Sequence, residues 1–186
     1  MHLQKLSESL RRSPVVKVGD YDYFVNPITD GIPSVDPKLL SEVLTAIKEV
    51  GDFNCDLIVA PESMGIPFAV PLSLELGIPY VVIRKKKYGL PGETVESQVT
   101  GYSRSFLHIN GVSRGDRVTI IDSVISSGGT MRAVLRGMRS IGAEIVDVIS
   151  VIDKGAGRES IEAEFGVNVK ALMRIEVIDG RVRIID

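Results

Sequence analysis

Four short runs, "DLIVAPE" (56–62), "YVVIRK" (80–85), "RVTIIDS" (117–123) and "VDVISVIDK" (146–154), are β-branched and apolar on consecutive positions. A strand with one wet face alternates apolar and polar residues, whereas an unbroken run is covered on both faces, as in a parallel sheet between two layers of helices. The segments between the runs supply those helices. "GIPFAVPLSLELG" (65–77), "GGTMRAVLRGMRSIG" (128–142) and "GRESIEAEFG" (157–166) each close on a glycine, which tolerates the left-handed turn that ends a helix. "DPKLLSEVLTAIKEVG" (36–51) opens with Asp36 as a cap and Pro37 at the first helical position. The expectation is an α/β fold, a doubly wound parallel sheet whose ligand crevice lies beyond the carboxyl ends of its strands. With 186 residues the chain suits a single domain.

Each of those strand ends carries polar residues or glycine: "PESMG", "RKKK", "DSVISSGGT" and "DKGAGR". The third is the most informative. In "VTIIDSVISSGGTMRAVL" (118–135) an apolar strand ends in one carboxylate, passes through serines and paired glycines, and turns at once into a helical pattern. Such a turn leaves the first N–H groups of the helix without carbonyl partners, and these attract an anion such as a phosphate. Between Arg84 and Phe106, "KKKYGLPGETVESQVTGYSRS" has no buried pattern. Its basic start, glycines and Tyr102 suit a flexible flap over an anionic substrate; Val95, Val99 and Phe106 give it some strand character, so a solvated hairpin fits equally.

Composition narrows the partners. A formal charge of −2 and an isoelectric point near 5.8 provide no basic field for nucleic acid. One cysteine, Cys55, builds neither a disulfide framework nor a multi-cysteine zinc site. The start, "MHLQKLSESLRRSP", lacks the apolar centre of a signal peptide, and nowhere do eighteen apolar residues run together. A soluble cytoplasmic protein, without membrane or nucleic-acid partners, is expected. Neither GxGxxG nor GxxxxGK[ST] follows a strand, which weakens a Rossmann or P-loop reading.

"VTIIDSVISSGGT" resembles the phosphoribosyl diphosphate signature of the type I phosphoribosyltransferases. The wider chain, including "DYDYFVNPITDGIPSVDP", resembles their purine salvage branch, and within it the archaeal hypoxanthine group. The resemblance implies a core over about 36–154, a small hood from about 1–35 and 155–186, and a flexible flap, all in one domain (1–186). It implies transfer of ribose 5-phosphate from phosphoribosyl diphosphate to a 6-oxopurine, hypoxanthine or guanine, with Mg²⁺, in a homodimer. Adenine or xanthine as the base, or a non-catalytic regulator that binds purine or phosphoribosyl diphosphate, are the alternatives. A DNA-binding regulator needs an added domain, and the stretch before Asp36 is short for one.

By the same resemblance, Asp122 is the catalytic-site acid that holds the ribose, and Ser126, Ser127, Gly128, Gly129 and Thr130 wrap the 5-phosphate. Ser123 stands where the family has a second acid and is assigned to the ribose as a neutral partner. Glu62, Ser63, Met64 and Gly65, with Arg84, Lys85 and Lys87, form the diphosphate set, the amides of Ser63, Met64 and Gly65 facing the anion. Lys154 donates to the oxygen at purine C6, and Asn26 and Val124 contact the base, with Phe24, Val25 and Ile28 available to cover the ring. No residue is assigned as a direct metal ligand: Mg²⁺ binds mainly through substrate oxygens. Glu93 and Glu96 are possible proton acceptors, and each is as well read as a solvated loop acid. The C-terminal "VKALMRIEVIDGRVRIID" reads as a hairpin with its turn at "DG", completing the hood.

Overall fold

The computed structural model describes residues 3–99 and 104–185. In chain order it runs α1 (Gln4–Arg11), β1 (Val15–Val18), β2 (Tyr21–Phe24), α2 (Pro27–Asp30), α3 (Pro37–Val50), β3 (Leu57–Pro61), α4 (Ile66–Leu76), β4 (Tyr80–Ile83), β5 (Thr94–Val99), β6 (Arg104–Ile109), β7 (Arg117–Ile125), α5 (Gly129–Ile141), β8 (Glu144–Lys154), α6 (Gly157–Phe165), β9 (Val169–Ile178) and β10 (Arg181–Ile185). The four apolar runs are β3, β4, β7 and β8. They stand in one six-stranded sheet of order β10-β9-β8-β7-β3-β4, parallel except where β10 returns against β9.

The reason the runs do not alternate is visible in the packing. In β3, Ile58 and Ala60 join a core with α1, α3 and α4, while Val59 joins a second core with α5 and α6 on the other face. β7 divides in the same way: Ile121 goes to the first core, Val118 and Ile120 to the second. Both faces are covered, so both sets of side chains are apolar. Asp36 caps α3 as expected, its carboxylate accepting from the N–H of Lys38 at 2.7 Å.

The C-terminal hairpin forms with its turn at Asp179 and Gly180, whose φ values of 52° and 68° are those of a two-residue primed turn. Its place differs from the expectation. β9 pairs with β8 in parallel, so the hairpin widens the main sheet and does not complete a hood. What overhangs the crevice is N-terminal: the β1–β2 hairpin and α2. The 85–105 stretch likewise contains strand: β5 and β6 pair as an antiparallel hairpin, tied to the end of β4 through Arg84 and His108. Tyr102, expected in the flap, lies outside the described residues. No helix among the described residues is long and apolar enough to cross a membrane.

Candidate functional site

The sheet order creates the site. From β3 the chain moves outward through α4 to β4, and from β7 it moves outward the other way through α5 to β8, so β3 and β7 flank the switch point of the sheet. In open α/β sheets the ligand crevice opens there, past the carboxyl ends of the strands. The loops reaching that end are 61–65 after β3, 84–87 after β4 and 126–130 after β7, with Lys154 closing β8.

The loop after β7 has the properties its sequence suggests. Gly128 sits at φ 77°, in the left-handed region, and turns the strand into α5. The first bond of the helix runs from Arg132 N to Gly128 O at 2.8 Å, so the N–H groups of Gly129, Thr130 and Met131 have no carbonyl partner within it. The closest side-chain acceptor to the Gly129 N–H is Ser127 Oγ, at a long 3.5 Å. The loop is braced from three sides. Tyr21 of β2 places its hydroxyl 2.7 Å from Ser126 Oγ. Gln98 of β5 donates to Thr130 Oγ1 at 2.6 Å. From behind, the start of α6 presses so close that a Cβ on Gly157 would lie 2.0 Å from Ser126 O. Tyr21, Tyr23, Phe24 and Val124 line the cleft that ends at Ser126–Thr130.

Asp122 lies in β7, three residues before its carboxyl end. Desolvation pushes its carboxyl up from 3.8 to about 7, against the opposing pull of the Ser123 N–H at 2.7 Å, the positive charge of Lys85 and the Ser123 hydroxyl. Ser123 itself is only 3% exposed. Its donors are turned to Asp122, so the position expected to meet a ribose instead orients the carboxylate beside it. Among the described residues no three His, Cys, Asp or Glu side chains converge as a metal cage. Asp122, close enough to Lys85 to feel its charge, is a lone acid on β7, which fits an ion whose remaining ligands are substrate oxygens and water.

In the loop after β3, Glu62 accepts from the N–H of Lys85 at 2.6 Å and lies 2.8 Å from Arg84 Nε, an ion pair whose angle makes no hydrogen bond. Glu62 therefore stitches this loop to the end of β4 and takes up Arg84, while Lys85 and Lys87 remain exposed. The Gly65 N–H bonds Pro61 O at 3.2 Å, which removes it from the amides expected to face an anion; those of Ser63 and Met64 stay in the set.

The base-contacting set divides. Lys154 is 9% exposed, donates to the carbonyl of Asp22 and lies 3.9 Å from the centre of the Tyr21 ring. One of its three ammonium protons is thus committed to the overhanging hairpin. Val124 and Phe24 line the cleft. Asn26 does not: it is fully buried, caps α2 by accepting from the Ile28 N–H, and donates to Ser9 and Ser13. With its amide satisfied inside the N-terminal segment it leaves the base-binding set, and so do Ile28, in the core, and Val25, which lines a separate groove.

Glu93 is engaged within its own loop. Bonds from Asn110 above all, and from the N–H groups of Tyr88 and Gly89 and from His108, hold its carboxyl down to about 2, so it clamps the segment after β4 to β6. Tyr21, Gln98 and Gly157 were not singled out as site residues in the sequence. Nothing in the spacing of the sequence links Tyr21 to Ser126, 105 positions away.

Comparison with known proteins agrees with this arrangement. The family model of the phosphoribosyl transferase domain matches residues 38–172. A hypoxanthine/guanine phosphoribosyltransferase of Methanothermobacter thermautotrophicus is 53% identical over 184 residues, 99% of this chain and 95% of that one. Another of that name, from Methanobacterium lacus, is 51% identical over 181 residues, 97% of this chain and 95% of the relative. Among solved structures, adenine phosphoribosyltransferase from Thermoanaerobacter pseudethanolicus superposes with a TM-score of 0.76 over 93% of this chain and 99% of that one, at 22% identity, a likeness of fold alone.

Proposed function

The chain belongs to the phosphoribosyl transferase family, and on that premise we propose that it is a purine salvage enzyme transferring ribose 5-phosphate from phosphoribosyl diphosphate to hypoxanthine or guanine. The observation that carries the reading is the near full-length identity of about half with relatives named for that activity. N9 of the purine attacks C1 of the ribose, the bond from C1 to the diphosphate oxygen breaks with its electron pair going to diphosphate, and the N9 proton passes to solvent. The transition state has oxocarbenium character, so the protein works by positioning the reactants and stabilising the departing charge.

The loop 126–130 receives the 5-phosphate on the amides of Gly129 and Thr130, which have no carbonyl partner, and the hydroxyls of Ser127 and Thr130. Asp122 accepts from the ribose hydroxyls, held in place by Ser123. The amides of Ser63 and Met64, with Lys85 and Lys87, receive the diphosphate. Asp122 would be the protein's own contribution to a Mg²⁺ site otherwise made of substrate oxygens and water, and the ion would offset the charge of the departing diphosphate. Lys154, a donor only, meets the oxygen at purine C6 and disfavours the amino group of adenine. A homodimer in the cytoplasm completes the reading.

Incubation with phosphoribosyl diphosphate, Mg²⁺ and each purine in turn tests it. Inosine or guanosine monophosphate should form, with little or no product from adenine. Turnover of adenine or xanthine in preference, or binding without turnover, would overturn the substrate assignment or the enzyme assignment respectively.

A further inference from the structure

Gln98 is 4% exposed, and its amide bridges two hydroxyls: Nε2 donates to Thr130 Oγ1 at 2.6 Å, and Oε1 accepts from Ser105 Oγ at 2.6 Å. Gln98 and Ser105 face each other across the β5–β6 hairpin, on the side that also carries Leu107 and Ile109. That side lies against α5, where Ile109 occupies the space a Cβ on Gly137 would need; the opposite side leaves Val95, Val99 and Phe106 exposed. Apolar contact holds most of the hairpin down, and one buried polar bridge joins it to the first turn of α5.

We propose that Gln98 is a positioning residue for the 5-phosphate, acting through Thr130. A threonine hydroxyl has one proton and two lone pairs. With a lone pair of Thr130 engaged by the Gln98 N–H, its proton is directed toward another acceptor, and it stands beside the first-turn amides that have no carbonyl partner, where an anion sits. Ser105 sets the sense of the bridge: by donating to Oε1 it leaves Nε2 for Thr130. A buried amide keeps such bonds because an unsatisfied one is costly. The inference rests on the phosphoribosyl diphosphate reading of the loop. It adds a second role for the flap hairpin, as a brace for the phosphate end of the crevice.

Calorimetric titration of ribose 5-phosphate, and separately of diphosphate with Mg²⁺, into wild type, Gln98→Met, Thr130→Val, the double variant and Ser105→Ala tests it. Gln98→Met should weaken ribose 5-phosphate about tenfold, the worth of one hydrogen bond to a charged group, and leave diphosphate unchanged. In the Thr130→Val background the same change should cost nothing more, because the hydroxyl it acts through is gone. Ser105→Ala keeps the buried amide and should weaken ribose 5-phosphate in the same direction by a smaller factor, about threefold; it carries the test if Gln98→Met does not fold. An equal loss for both ligands, a loss that persists in the Thr130→Val background, or no loss in either variant would overturn the proposal while wild-type activity stands. A wild type that neither binds ribose 5-phosphate nor makes nucleotide would overturn the parent reading and this one with it.

Discussion

The hydroxyl of Tyr21 lies 2.7 Å from Ser126 Oγ, so the N-terminal hairpin and the loop after β7 share one hydrogen bond although 105 positions separate the two residues. The same tyrosine ring lies 3.9 Å from the Lys154 ammonium, which places it between the loop after β7 and the end of β8. Tyr21→Phe keeps the ring and removes the bond. We expect KM for phosphoribosyl diphosphate to rise roughly fivefold, the worth of about 1 kcal/mol, with KM for the purine little changed. Unchanged kinetics would mean that the hairpin does not brace the loop.

Gly157 should be intolerant of even one methyl group. A Cβ there would lie 2.0 Å from Ser126 O and 2.7 Å from Gly128 N, both backbone atoms that move only if the loop moves. Gly157→Ala should therefore raise KM for phosphoribosyl diphosphate and lower stability by about 1–3 kcal/mol. Gly166, at the other end of the same helix, is the control: its φ is +62° with nothing near its Cβ position. Gly166→Ala should cost about 1–2 kcal/mol of backbone strain and leave that KM alone. Steady-state kinetics and urea unfolding of the two variants separate the effects.

Asp122 makes stability pH-dependent with a definite sign. Burial raises its folded-state pKa from 3.8 to about 7, so the folded protein binds this proton more tightly than the unfolded chain. Its contribution is fully present below pH 3.8 and is lost as pH rises through about 7. Asp122→Asn removes the titration. Without ligand, the variant's Tm should match wild type near pH 4 and exceed it increasingly up to pH 8. A constant difference across that range would contradict the desolvated carboxyl of Asp122, which is half-buried. Ser123→Asp would set a second acid against the first in a buried place, and should weaken phosphoribosyl diphosphate binding.

Lys154→Gln separates base recognition from support of the overhanging hairpin. If the ammonium meets the C6 oxygen, kcat/KM for hypoxanthine should fall roughly 10- to 100-fold, as for a lost charged hydrogen bond, and that for adenine should fall less or rise. An equal loss for both bases would assign Lys154 to the Asp22 carbonyl and the Tyr21 ring alone.

The sheet and its switch point were legible because β3 and β7 are buried on both faces, which removes alternation, and because Asp36–Pro37 and the closing glycines mark helix ends by local chemistry. The turn at Asp179–Gly180 was legible for the same local reason. Its partner strand was not: a hairpin pattern is the same whether β9 stands alone or pairs with β8. The strand–loop–helix turn at 126–130 was legible because its residues are contiguous in the chain. Tyr21, Gln98 and Gly157 reach that loop through tertiary contact, which leaves no period or spacing to read. Asn26 shows the converse, a motif residue whose amide is wholly used within its own segment.

Whether the first turn of α5 holds the 5-phosphate can be read from an amide NMR titration with ribose 5-phosphate. The Gly129, Thr130 and Met131 N–H resonances should shift together and saturably, those of Ser63 and Met64 should stay in place, and Gly129→Val should abolish the shifts while the rest of the spectrum keeps its dispersion. Saturable shifts at the 61–65 loop with none in the first turn of α5 would contradict the assignment.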